Sequence, residues 1–358
     1  MKARRGAWIA LATLALALGA LELGFRLLTR DEVSRAIRGH RRYLLSGEMR
    51  AYEPRAHTVY QMRPGGHANS FGFYDRAWTR ARTPGVPRVL CLGGSTTQGG
   101  NALGRKGAYP HQLEVLLEAR LARDVEVLNA GIAGWSTAEM LVSWFLTLQD
   151  FRPDVLVLHE AVNDLPARFL ADFEPDYSHW RTPVRIQPLA GPERWLVRVS
   201  DLYVGLRLRR TGAPELADVS TRSGPPEPLL AQDRLPPETA LPFRRNLRSI
   251  ATSAQTEGTQ VVLMTLPCAA GRQAACWGFG IAENNRQLRA LASEEGLLLA
   301  DAERLFEEHP ELATHFLDGV HLDPEGDRAK AELLVRTLTP WLASLPAEGG
   351  RPPDALAR

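Results

Sequence analysis

Five short apolar runs, separated by stretches with helical periodicity, constrain this chain more than any other feature. The runs are Val89-Leu90-Cys91-Leu92, Val125-Glu126-Val127-Leu128, Val155-Leu156-Val157-Leu158, Val261-Val262-Leu263-Met264 and Leu297-Leu298-Leu299-Ala300. Four of the five carry no polar residue, so they read as strands covered on both faces rather than as edge hairpins. Between them, Leu113, Leu116, Leu117 and Leu121 fall at helical spacing within 107–122, and further helices are expected over 137–149, 238–257, 281–295 and 325–343. Strands alternating with helices require parallel pairing. The expected fold is a three-layer α/β/α sandwich around a five-stranded parallel sheet.

The alternation fails between 166 and 236. Within it, Trp195, Val199, Leu202, Tyr203 and Leu206 share a helical face over 190–210, and 211–242 holds seven prolines. An amphipathic helix followed by an extended linker is expected. Three roles fit this insertion: a lid, a membrane-surface helix, or an extra packed helix.

The N-terminus supplies a different signal. After Lys2, Arg4 and Arg5, the 16 residues from Gly6 to Leu21 are uncharged; Glu22 then interrupts before Leu23, Phe25, Leu27 and Leu28 resume the apolar character. A bilayer span takes roughly 20 apolar residues. Two readings fit, a retained signal anchor over 1–30 and a signal peptide cut near Ala17-Leu18-Gly19. The anchor is favoured, since no clear cleavage site follows. The basic start argues for an N-terminus inside, with the remainder facing the periplasm or cell exterior; secretion is the alternative. The expected order is then an anchor (1–30), a polar arm (31–85), a catalytic domain (86–343) carrying the insertion, and a disordered tail (344–358).

Charge and cysteine usage exclude several classes. A net charge of +2 on 358 residues does not suit a nucleic-acid-gripping surface. Three cysteines are too few for a disulfide scaffold and lack zinc spacing. Cys268 and Cys276 bracket a short loop, and in an oxidising compartment two states fit them equally, one bridge or two free thiols. The histidines show no metal-ligand spacing, and Asp323, Glu325 and Asp327 do not match a calcium loop. No cofactor or metal is expected. Of the 43 basic residues only Lys2, Lys106 and Lys330 are lysines.

Four stretches carry chemistry. Gly93-Gly94-Ser95-Thr96-Thr97-Gln98-Gly99 follows the first run. A Ser on such a strand-to-helix turn is exposed at the carboxyl edge of the sheet, where open α/β folds bind ligands. It lacks the Lys of a phosphate loop and the second Gly of a hydrolase elbow. Asn129 to Ser136 follows the second run, and Gly134 there lets a backbone N–H approach a ligand. His159-Glu160-Ala161-Val162-Asn163-Asp164 follows the third, and the Asn163 amide is a typical oxyanion donor. Near the end, Asp318 and His321 are three residues apart, close enough for the carboxylate to fix the imidazole tautomer.

In this order the four stretches resemble the SGNH hydrolases, the GDSL-like esterase/lipase family. The resemblance implies a nucleophile at Ser95, an oxyanion hole from Ser95, Gly134 and Asn163, and an acid–base pair at Asp318 and His321. Two positions depart from the family pattern: Gly94 replaces the Asp before the serine, and Ala161 replaces the Gly that opens the Gly-x-Asn-Asp block. His159, Glu160 and Phe71 are additional candidates for contact with substrate. The implied activity is a serine esterase acting through an acyl-enzyme on acetylated carbohydrate or lipid. An O-acyltransferase on envelope polysaccharide and a non-catalytic envelope binding protein are the alternatives.

Overall fold

The computed structural model describes residues 2–29, 33–34, 37–38, 41, 45, 51–65, 67–99, 103–169, 173–179, 191–211, 235–269 and 278–345. By internal contacts the chain divides into two units. One comprises Met1–Pro54 with Pro183–Arg222, and the other Arg55–Thr182 with Ser223–Arg358.

The larger unit is built on five parallel strands: β1 (Arg88–Gly93), β2 (Glu126–Gly131), β3 (Val155–His159), β4 (Gln260–Met264) and β5 (Leu298–Ala300). Their order across the sheet is β2-β1-β3-β4-β5. In register, Val89 lies beside Val127 and Val155, and Leu90 beside Leu128 and Leu156. Every residue of β1 and β3 is buried, which is why these strands read as continuous apolar runs. One face, carrying Val89, Cys91, Val127, Val155, Val157 and Val262, packs on Tyr109, Leu113 and Leu117 of the helix Tyr109–Leu121 and on Leu334, Leu338 and Leu342 of the helix Pro324–Ser344. The helix Leu241–Thr256 packs on Thr137–Ser143, on Gly278–Glu295 and on β4. The expected helix at 137–149 is α-helical only to Ser143, then widens to a π turn at Trp144–Leu148 and tightens to a 3-10 turn at Gln149–Phe151.

Because β1 is flanked by β2 on one side and β3 on the other, the chain leaves the sheet in opposite directions at this point. The carboxyl ends of β1, β2 and β3 therefore open onto the crevice where such folds bind ligands. Residues 55–85 pack in this same unit, with Phe73 and Trp78 buried and their rings stacked at 4.8 Å.

The smaller unit contains the helix Lys2–Leu28, of which Trp8–Leu28 has the length and hydropathy of a membrane span. It also contains two helices where one was expected, Gly191–Val199 and Asp201–Thr211, with the break at Ser200. The cause is a cap. The Glu22 carboxylate accepts hydrogen bonds from Ser200 Oγ (2.7 Å), Asp201 N–H (2.7 Å) and Leu202 N–H (3.1 Å), satisfying donors that any helix start leaves open. Arg26 binds Glu22 (2.7 Å) and the Val199 carbonyl (2.9 Å), and Arg41 pairs with Asp201. Val197 and Val204 are buried, whereas Trp195, Val199 and Leu206 of the expected apolar face are exposed. Cys276, the linker at 212–234 and the tail from 346 lie outside the described residues.

Candidate functional site

Ser95 opens the four-residue helix Ser95–Gln98 directly after β1, with Gly94 as an extended N-cap. The turn is pinned from several sides. Thr97 and Gln98 donate to the Gly94 carbonyl (3.1 and 3.0 Å). Lys330 Nζ donates to the Thr96 carbonyl (3.1 Å) while pairing with Asp327 (2.8 Å), both side chains being buried. The Lys330 ammonium also lies 4.7 Å from the centre of the Tyr109 ring.

The acid–base pair comes from the far end of the sequence. The segment between the turn at Pro310–His315 and the last helix is closed by a bridge between Phe316 and Leu322 and by Leu317 N–H donating to the His321 carbonyl (2.8 Å). Asp323 then caps the last helix through the N–H groups of Glu325 and Gly326 (3.0 and 2.9 Å). The result places His321 Nε2 2.8 Å from Ser95 Oγ and His321 Nδ1 2.7 Å from Asp318 Oδ2. Asp318 Oδ1 accepts the N–H groups of Val320 and His321, each at 2.8 Å. Partial burial works to raise the Asp318 carboxyl, but these three hydrogen bonds outweigh it and hold the carboxyl well below the usual range. It is therefore ionised at any physiological pH, and one face of the imidazole is fixed as an Nδ1–H donor with Nε2 turned to the serine. The His321 and Asp318 side chains are 40% and 56% exposed, so the pair lies in a shallow, open setting.

The two further oxyanion candidates lie on the loops after β2 and β3. Gly134 has φ +76, a backbone region glycine enters at little cost. The next residue, Trp135, donates its indole N–H to the Tyr60 carbonyl (3.1 Å), while the Tyr60 hydroxyl donates to the Ala133 carbonyl (2.6 Å). Asn163 Nδ2 donates to the Trp135 carbonyl (2.9 Å) and to Glu160 Oε2 (3.0 Å). Both amide hydrogens are thus engaged by protein acceptors, and donation to a ligand would share one of these bonds. Asp164, wholly buried, accepts from Thr137 N–H (2.9 Å), Thr137 Oγ1 (2.5 Å) and the Tyr177 hydroxyl (2.7 Å), tying this loop to the helix after β2.

Three of the expected substrate contacts are placed elsewhere. His159 is fully buried beneath the serine turn. Its Nδ1 donates to the Met264 carbonyl (3.2 Å), and burial together with the Lys330 charge keeps the ring neutral. Glu160 is also buried and reaches the site only through Asn163. Phe71 joins an aromatic cluster with Phe151 (5.0 Å) and Trp78 (6.2 Å), under the Arg80 guanidinium. Phe151 precedes the start of β3, at the opposite end of the strand from Ser95. The sequence reasoning missed Lys330, Tyr60, Tyr177 and Asp164. Lys330 had a legible signal, being one of three lysines among 43 basic residues.

The model of the GDSL-like Lipase/Acylhydrolase family matches residues 91–329. The chain belongs to the GDSL-like lipase/acylhydrolase family. As a member of that family it is an ester-bond hydrolase. Similar solved structures of GDSL-type enzymes include the lipase/acylhydrolase from Enterococcus faecalis, at 17% identity, covering 72% of this chain and 97% of that chain with a TM-score of 0.47. Axe2, an acetylxylan esterase from Geobacillus stearothermophilus, is 17% identical, with 74% and 97% covered and a TM-score of 0.46. The acetyl xylan esterase AlAXEase is 17% identical, with 72% and 100% covered and a TM-score of 0.45. A search of curated proteins finds no significant match.

Proposed function

We propose that the protein is a membrane-anchored serine esterase that works through an acyl-enzyme on Ser95. The observation that carries this reading is the relay from Asp318 through His321 to Ser95, with hydrogen bonds of 2.7 and 2.8 Å. In this mechanism His321 Nε2 takes the Ser95 proton as the oxygen attacks the ester carbonyl, and the ionised Asp318 stabilises the imidazolium. The backbone N–H groups of Ser95 and Gly134 and the Asn163 amide stabilise the oxyanion. His321 protonates the leaving alcohol, then activates water to release the acid.

An acetylated carbohydrate or cell-wall polymer is the preferred substrate class. The exposure of His321 and Asp318 supports it, because an open serine admits a short acyl group on a bulky alcohol. Purified full-length protein, its Ser95→Ala variant and a fluorophosphonate probe test the assignment, with p-nitrophenyl acetate as substrate. Labelling and turnover lost together in Ser95→Ala are expected; unchanged turnover refutes the nucleophile.

The same reading holds the N-terminal helix to be a retained anchor with the catalytic unit outside the cytoplasmic membrane. The apolar run that resumes after Glu22 and continues to Leu28 supports retention. The intact mass of the membrane-bound protein checks this, a species lacking the first twenty or so residues being the contrary result. Full protease protection in spheroplasts would contradict the orientation.

A further inference from the structure

One departure from the family pattern, Gly94, lies against Glu160, the residue just before the other departure, Ala161. Glu160 Oε1 accepts the N–H groups of Ala161 (2.9 Å), Val162 (2.7 Å) and Asn163 (2.7 Å). These bonds fold the loop after β3 around one oxygen. The other oxygen, Oε2, accepts from the Asn163 side-chain amide at 3.0 Å. A Cβ built on Gly94 would fall far inside contact distance of both Asn163 Nδ2 and Glu160 Oε2. A side chain at position 94 would therefore have to displace the ends of both side chains.

We infer that Glu160 is a positioning residue for ester hydrolysis, holding the Asn163 amide in the orientation that serves the oxyanion, in space left by the missing side chain at Gly94. The inference rests on the proposed roles of Ser95 and Asn163. An Asn side chain turns freely about its terminal bond unless both ends are held, and a donor contributes most when it is fixed before charge develops. Here the two fixing acceptors are the Trp135 carbonyl and Glu160 Oε2. Glu160 is 1% exposed, so water does not compete for the bond. Burial, with the nearby Asp164 charge, pushes its carboxyl up to about 8 against the three backbone N–H donors.

The test is a double-mutant cycle on the full-length protein with p-nitrophenyl acetate. Glu160→Gln keeps an oxygen for the three backbone donors but turns an NH2 group toward Asn163. It is expected to lower kcat by roughly 10-fold with KM unchanged, a part of the ~100–1000-fold that a lost oxyanion donor costs. In an Asn163→Ala background the same change is expected to have almost no further effect, because groups acting as one unit are not additive. An equal loss in both backgrounds, or an undiminished kcat in Glu160→Gln, overturns the inference. If Glu160→Gln does not fold, Gly94→Ala replaces it. The added methyl presses on both side chains; it is expected to lower kcat in the wild type and to cost little further kcat once Asn163 is Ala, and equal loss in both is again the contrary result. Ser95→Ala is read separately: turnover surviving there defeats the nucleophile assignment, whereas additivity defeats only the positioning role.

Discussion

Replacing Asp318 by Asn separates the charge of the relay from its scaffold. Oδ1 holds the N–H groups of Val320 and His321 at 2.8 Å each, and an Asn oxygen can keep both bonds, so the loop survives. The other end becomes an NH2 group facing His321 Nδ1, where the carboxylate oxygen lies at 2.7 Å. Two donors then confront each other, and the ring relieves the conflict by moving its proton to Nε2. Nε2 faces Ser95 Oγ and can no longer accept the serine proton. In buried Ser-His-Asp sites this change costs about 10⁴-fold in kcat. Here Asp318 is 56% exposed, and water can solvate part of the mismatch. The expected loss is therefore nearer 10³-fold, about 4 kcal/mol at 1.36 kcal/mol per decade. The assay is kcat/KM on p-nitrophenyl acetate, with thermal unfolding to verify that the fold is unchanged. An Asp318→Asn protein that is folded and keeps more than about a tenth of wild-type activity would falsify the tautomer argument and the role of Asp318 with it.

Other outcomes follow from the same geometry. Asn163→Ala should lower kcat by about 100- to 1000-fold, with a stability cost of about 1–3 kcal/mol for the buried acceptor it leaves unpaired; loss of fold with it would point to a structural role instead. Lys330→Met leaves Asp327 buried without its 2.8 Å partner and should cost about 3–5 kcal/mol of stability, most of it regained in Lys330→Met with Asp327→Leu; denaturant unfolding of the two variants compares them. For Glu160, the folded carboxyl keeps its proton to about pH 8 while the unfolded one releases it near 4.5. The folded state binds more protons between those values, so the residue makes stability fall as pH rises through that window. Unfolding free energies from pH 5 to 9 should show a shallower decline in Glu160→Gln, and identical slopes would contradict the assignment.

The legible and illegible parts of this molecule divide by distance along the chain. The strands were legible because β1 and β3 are covered on both faces, which forces unbroken apolar runs such as Val89 to Leu92. Ser95, Asn163 and the pair Asp318 and His321 were legible because each sits in a local pattern with its own chemistry. Phe71 was misplaced because an aromatic near the first strand fits a pocket and a core equally well, and Phe151, 80 residues later, decides between them. The break at Ser200 had no local signal either, since the residue that caps the second helix is Glu22. Glu160 was noticed as part of a motif, but its relation to Gly94 exists only when the ends of β1 and β3 are side by side.

The Glu22 cap also has a history within each molecule. Its bond to Asp201 spans 179 residues, so the carboxylate is synthesised long before the N–H groups it holds. At about 5–20 residues per second, that interval is roughly 10–35 s. By then the segments of β1, β2 and β3 have already left the ribosome. The smaller unit is thus a late closure: the apolar helix is made first, and the polar residue within it waits for the chain to return.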